Sequence, residues 1–269
     1  MRWCKWLSCL AFLVMASETN AQSLHAVLIG DTFDPTIGPG VAANLNKMNG
    51  LLQRAKVEGG IALDLHIVKD DNFDCKSIAK QIDDIVVESN DAVLIYYAGH
   101  GFRRNSSQSQ FPEFDCRRSS DPTRVELSGI ADSFIRPQAG GEPPPRLLIV
   151  VADTCNTPIQ GEPPAQARGP ASVVDRRLAF TRLFLDYTGT ILMSGSPPGE
   201  PSWYLSSGGF FTNQFLAVMF NELDSPVDQV RWEHIVTQSK QDIFIPTTPA
   251  AVQRPQAVGL NLFASAWSR

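Results

Sequence analysis

The chain has 269 residues, 43% of them hydrophobic and 19% charged, a balance that supports a buried core and excludes a disordered chain. Its 23 basic and 28 acidic residues leave a formal net charge of −5, so the basic footprint needed to bind phosphate backbones is missing and no nucleic acid partner is expected. The length suits one α/β domain and does not force a second core.

Residues 1–21 read as an export signal. Arg2 and Lys5 form a short positive region, Leu7 to Ala16 is an apolar run about half the ~20 residues a spanning helix needs, and Thr19-Asn20-Ala21 offers small residues where a signal peptidase reads. Cleavage is expected after Ala21, with residues 22–269 forming the mature chain in the periplasm or secreted. No later window is long and apolar enough to span a bilayer, so no membrane contact is expected after cleavage. Cys4 and Cys9 leave with the signal. Cys75, Cys116 and Cys155 remain, an odd number in a compartment where thiols pair, so one is expected to stay free.

Leu24 to Ile29 is a short apolar run ended by Gly30-Asp31, which predicts a buried strand and a tight turn. After a Gly/Pro-rich loop, Val41 to Val57 places Val41, Leu45, Met48, Leu51, Leu52 and Ala55 at helical spacing, with Gly59-Gly60 as the stop. Ile61 to Val68 alternates as a strand does. Cys75 to Glu88 predicts a helix with Asp74 as its cap and Ile78, Ile82, Ile85 and Val86 facing inward. Asp91 to Tyr97 is a fully buried strand, followed by Ala98-Gly99-His100-Gly101. Phe102 to Thr123 is polar and serine-rich, a surface loop or a decorated hairpin.

Val125 to Ile135 predicts a helix, and Arg146 to Val151 another buried strand that ends in Ala152-Asp153-Thr154-Cys155. Residues 157–171 carry Pro, Gly, Gln and Ala without periodicity, which predicts a flexible linker between a larger part, 22–156, and a smaller part, 172–269. The smaller part offers a strand at Thr190 to Met193, helices from about Gly209 to Leu223 and from Val230 to Ile243, and a Pro-rich end. Strands alternating with helices predict a single α/β domain with a mainly parallel sheet flanked by helices on both faces.

In such a sheet the chemistry gathers outside the carboxyl ends of the strands, and His100 and Cys155 each lie a few residues beyond an apolar strand. A thiol needs a base to become a nucleophile near neutral pH, and an imidazole within reach supplies one. The amides of Gly101 and Cys155 are candidate donors to an oxyanion. His25 and His66 lie inside strand patterns and His234 in a helix. No other His or Cys stands at ligand spacing from His100 or Cys155, so no metal site is predicted. Taken singly, a His after a strand and a Cys at a strand end also suit plain structural roles.

Two motifs carry a resemblance. Tyr96 to Gly101 (YYAGHG) resembles the H-Y-S-G-H-G run of metacaspases, and Asp153-Thr154-Cys155 resembles D-S-C, with the His about 50 residues before the Cys as in caspases. Residues 196–203 resemble the caspase run that ends in Ser-Trp-Arg, and Gln253-Arg254-Pro255-Gln256 resembles a metacaspase Q-x-P-Q. The resemblance to the caspase and metacaspase peptidases implies a cysteine endopeptidase acting on peptide or protein substrates, with Cys155 as nucleophile, His100 as its proton partner and Asp153 in the substrate pocket. It also implies a preference for Arg or Lys before the scissile bond, weakened because Asn44 stands where a second pocket Asp is found. Tyr204 replaces the caspase Arg that holds a substrate Asp, and Asn156-Thr157 departs from the family's run after the nucleophile, which leaves open an inactive protein-binding module. If Cys155 must stay reduced, Cys75 and Cys116 are the candidate disulfide. Calcium dependence, known in the family, finds no matched acidic residues between 102 and 123, and no cofactor is expected. Metacaspases are mostly single, which implies a monomer, and caspase relatives often cut themselves after the nucleophile, here after Arg168, Arg176 or Arg177.

Overall fold

A computed structural model of the chain describes residues 22–116, 123–135, 143–156, 176–246, 248 and 251–265. The expected signal segment, 1–21, and the expected linker, 157–171, lie outside the described residues. In chain order the elements are β1 (Ser23–Gly30), α1 (Gly38–Val57), β2 (Ala62–Lys69), α2 (Cys75–Asp83), β3 (Ala92–Ala98), a small ribbon of β4 (Gly101–Phe102) and β5 (Glu113–Phe114), α3 (Leu127–Ile135) and β6 (Leu147–Asp153). There follow α4 (Arg177–Thr181), a π-helical turn at Arg182–Asp186, β7 (Tyr187–Ser194), a ribbon of β8 (Tyr204–Leu205) and β9 (Gly208–Gly209), α5 (Phe210–Leu223) and α6 (Trp232–Ser239). The chain closes with a ribbon of β10 (Ile243–Phe244) and β11 (Val252–Gln253), then β12 (Gln256–Ala264).

Six strands form one sheet in the order β12-β7-β6-β3-β1-β2, drawing on both sides of the expected linker. Every pairing is parallel except that of β12 with β7. The strand periodicity of two sorts the side chains onto the faces. Leu24, Ala26 and Leu28, with Leu94, Tyr96, Ile149, Val151 and Met193, pack against α1, α5 and α6 on one side. Val27, Ile29, Val93, Ile95, Tyr97, Leu148 and Val150 pack against α2 and α3 on the other. This double cover is why β3 and β6 read as unbroken apolar runs: all seven residues of each are buried.

Three elements differ from their sequence expectation. Helix α2, capped by the Asp74 side chain on the amides of Lys76 and Ser77 at 3.0 Å each, stops at Asp83 instead of Glu88. Beyond it Ile85 and Val87 are buried while Val86 is 73% exposed, the alternation of extended chain. Helix α6 is confined to Trp232–Ser239. The Pro-rich end forms the nine-residue edge strand β12, whose exposure is mixed because only one of its sides is paired. Among the described residues no helix is long and apolar enough to cross a membrane.

Candidate active site

Parallel pairing carries His100 and Cys155 to the same place. Strands β3 and β6 run in register from Ala92 opposite Leu147 to Ala98 opposite Asp153, so two steps beyond the last pair stand His100 and Cys155. Neighbouring strands are about 4.8 Å apart. The loops stay together past the strand ends: the Gly99 amide donates to the Asp153 carbonyl at 3.3 Å. Gly101 lies so close to the other loop that a Cβ would collide with the Thr154 hydroxyl and come within 2.8 Å of the Cys155 carbonyl and 3.0 Å of that of Glu113. Glycine is therefore required at 101 for the two loops to meet.

The backbone under His100 is fixed from the ribbon beside it. The Tyr97 hydroxyl donates to the His100 carbonyl at 2.5 Å and the Asp115 amide to the same oxygen at 2.9 Å. Tyr97 in turn stacks on Phe114 with ring centroids 3.8 Å apart. Cys75 and Cys116 are joined as a disulfide, Cα to Cα 4.9 Å, which ties the strand end after β5 to the start of α2. Cys155 is the free thiol among the described cysteines.

The imidazole and the thiol each have other partners at rest. His100 Nε2 faces Asp34 Oδ2 at 3.2 Å and the Thr36 hydroxyl at 3.5 Å. Cys155 Sγ donates to the Ser202 carbonyl and accepts from the Ser202 amide, both at 3.3 Å. Burial pushes the Cys155 thiol up, the Ser202 amide pulls it back in part, and the negative Asp153 adds to the rise. The resting sulfur is thus a protonated thiol at neutral pH, and a base is needed to make it a nucleophile.

Asp153 is fully buried. Its Oδ1 accepts from the Ser202 hydroxyl at 2.9 Å, and its Oδ2 from the Thr212 hydroxyl at 2.6 Å, the Thr212 amide at 2.9 Å and Asn44 Nδ2 at 3.2 Å. Its carbonyl receives the Tyr204 hydroxyl. Burial raises this carboxyl above the ordinary range, against the pull of the Thr212, Ser202 and Asn44 bonds. The expected pocket carboxylate therefore sits in a closed polar knot, with every oxygen already engaged by the chain. Gln253, from the Q-x-P-Q run, belongs to the same knot: it donates to the Gly195 carbonyl at 2.8 Å and to Ser202 Oγ at 2.9 Å, and accepts from the Trp203 amide at 3.0 Å.

Asp34, Thr36 and Thr212 are site residues that the sequence did not single out, and Ser202 stood in the 196–203 run without a role assigned to it. Asp34, Thr36 and Ser202 lie in loops beyond the carboxyl ends of sheet strands, and Thr212 lies in the first turn of α5. The loops after β1, β3, β6 and β7 supply Asp34, His100, Cys155 and Ser202, and these four strands are consecutive neighbours in the sheet. Among the described residues, no group of three or more His, Cys, Asp or Glu stands as a metal site.

No curated protein matches the chain. The family model of the caspase domain, however, matches residues 23–260, from the first strand of the sheet into the last. That span takes in both site loops, five of the six sheet strands whole and the first half of β12, so the chain belongs to the caspase family of cysteine peptidases.

Proposed function

We propose that the protein is a cysteine endopeptidase in which Cys155 is the nucleophile and His100 the proton carrier. The observation that carries this reading is the in-register pairing of β3 with β6, which brings the two loops side by side at the carboxyl rim. Cys155 Sγ attacks the scissile carbonyl carbon as His100 takes the thiol proton. The tetrahedral oxyanion is received by the amides of Gly101 and Cys155, and collapse gives a thioester while the proton passes from His100 to the leaving amine. Water, deprotonated by His100, then hydrolyses the thioester and frees the thiol. Substrate must first take the thiol from Ser202, whose amide and carbonyl hold it at rest.

A preference for Arg or Lys before the scissile bond is supported by Asp153 as a source of negative potential close behind the thiol. Its oxygens already hold Asn44, Ser202 and Thr212 and the side chain is fully buried, so direct contact with a substrate cation requires this knot to open. Export to the periplasm or outside is supported by the Cys75–Cys116 disulfide, which needs an oxidising compartment. The grip of Ser202 on the thiol favours a second reading, an inactive protein-binding module.

An electrophilic peptide ending in Arg separates the two. The wild-type protein should be labelled at Cys155 and should cleave Arg peptides, Cys155→Ala should do neither, and His100→Ala should lose about 10²–10⁴-fold in rate. A Cys155→Ala protein that cleaves at the wild-type rate would remove the assignment, and an unlabelled wild type would support the binding module.

A further inference from the structure

The bonding of Asp34 is divided between two tasks. Its Oδ1 is filled three times by its own turn, from the Thr36 amide at 2.8 Å, the Thr36 hydroxyl at 2.6 Å and the Ile37 amide at 2.9 Å. Its Oδ2 is left to face His100 Nε2 at 3.2 Å. The carboxylate is thus anchored to the turn that enters the twenty-residue helix α1 and aimed across the rim at the loop after β3. Only 15% of the Asp34 side chain and 24% of the His100 side chain are exposed, so water competes weakly for the contact.

A carboxylate accepts and never donates, so the ring nitrogen against it must carry the proton. The Thr36 hydroxyl spends its proton on Asp34 and therefore also offers His100 Nε2 a lone pair. In the neutral ring the free lone pair is then on Nδ1. We propose that Asp34 is a positioning residue for His100: it fixes the Nε2–H tautomer, leaves Nδ1 to take the Cys155 proton, and places a negative charge beside the imidazolium that results. The proton balance is simple. The S–H bond of Cys155 breaks, an N–H bond forms at Nδ1, and Asp34 takes no proton at any stage. Its carboxyl is suited to this: burial works to raise it, but the Thr36 and Ile37 bonds and the His100 charge outweigh burial and hold it below its ordinary value of 3.8. It stays anionic across the neutral range.

This inference rests on reading His100 as the base, and the test keeps the two apart. Asp34→Asn preserves an acceptor oxygen for Thr36 and Ile37 but can turn an amide donor toward Nε2, where it favours the opposite tautomer. Nitrogen-15 spectra of the histidine rings, recorded without substrate and assigned with His100→Ala, should show His100 as Nε2–H in the wild type and shifted toward Nδ1–H in Asp34→Asn. With an Arg peptide, kcat of Asp34→Asn should fall by about 10²-fold or more while KM and the melting temperature change little. A purely structural Asp34 would leave both tautomer and kcat of Asp34→Asn at wild-type values, and that result overturns the proposal. So does an Nδ1–H ring at His100 in the wild type, whatever the behaviour of Asp34→Asn. A wild-type protein without peptidase activity would remove the peptidase reading alone, since the ring spectra still decide the role of Asp34.

Discussion

Cys155 is the residue whose environment decides how the site rests. Burial raises the thiol above its ordinary value of 9.0, and the Ser202 amide offsets only part of that. Without substrate, alkylation of Cys155 by iodoacetamide should therefore keep rising as the pH passes 9, followed by mass spectrometry of the modified peptide. A plateau near pH 7 would mean that His100 already holds the proton at rest. The linked stability has a definite sign: a raised folded value favours the neutral thiol, so its contribution is full below 9.0 and is lost as the pH climbs through the folded value. His100 and Cys155 are legible in the sequence because each is a chemistry-bearing residue just beyond an unbroken apolar strand. Asp34 is not legible. It is one of 28 acidic residues, and only the adjacency of β1 and β3 sets it apart.

At the scale of elements, legibility follows burial. Strands β1, β3 and β6 are covered on both faces, so their sequence carries the full apolar signal. Edge strand β12 runs through three partly buried residues and then three exposed ones, directly after Pro255, so no period of two marks it in the sequence. The short ribbon β4–β5 is equally faint in sequence, yet it holds the His100 loop through Asp115 and Phe114. Its outer end is fixed by the Cys75–Cys116 bond, which closes a loop of 41 residues and restricts the unfolded chain. The double variant Cys75→Ser, Cys116→Ser should lose about 2–4 kcal/mol in denaturant unfolding. Its kcat should fall as well, because the anchor of the ribbon is gone while Cys155 is untouched. Unchanged stability would assign the ribbon's hold to the packing of Phe114 on Tyr97 instead.

The whole molecule decides what cleavage after the nucleophile could do. The sequence marks Arg168, Arg176 and Arg177 as sites for self-cutting, and the fold separates them. Arg176 is 6% exposed and paired with Asp224 at 2.5 Å, while Arg177 opens α4, so neither offers the extended chain that a peptidase groove takes. Arg168 is then the cation left between Cys155 and Arg176, at a position outside the described residues. A cut there would not release the smaller part. Strand β7 is paired with β6 from Leu147 opposite Gly189 to Ala152 opposite Ser194, and α5 shares its core with α1 and β3. Edge strand β12 also offers a poor template for a second copy, since its ladder shifts register between Leu260 and Phe263 and Asn261 is left-handed with φ 51°. Purified wild-type protein should therefore give two fragments on a denaturing gel, with a new terminus after Arg168. By gel filtration it should still run as one species of monomer mass, and Cys155→Ala should remain whole. Fragments that part on the column would show that the sheet does not hold the two parts together. Intact wild type that cleaves Arg peptides would separate activity from self-cutting.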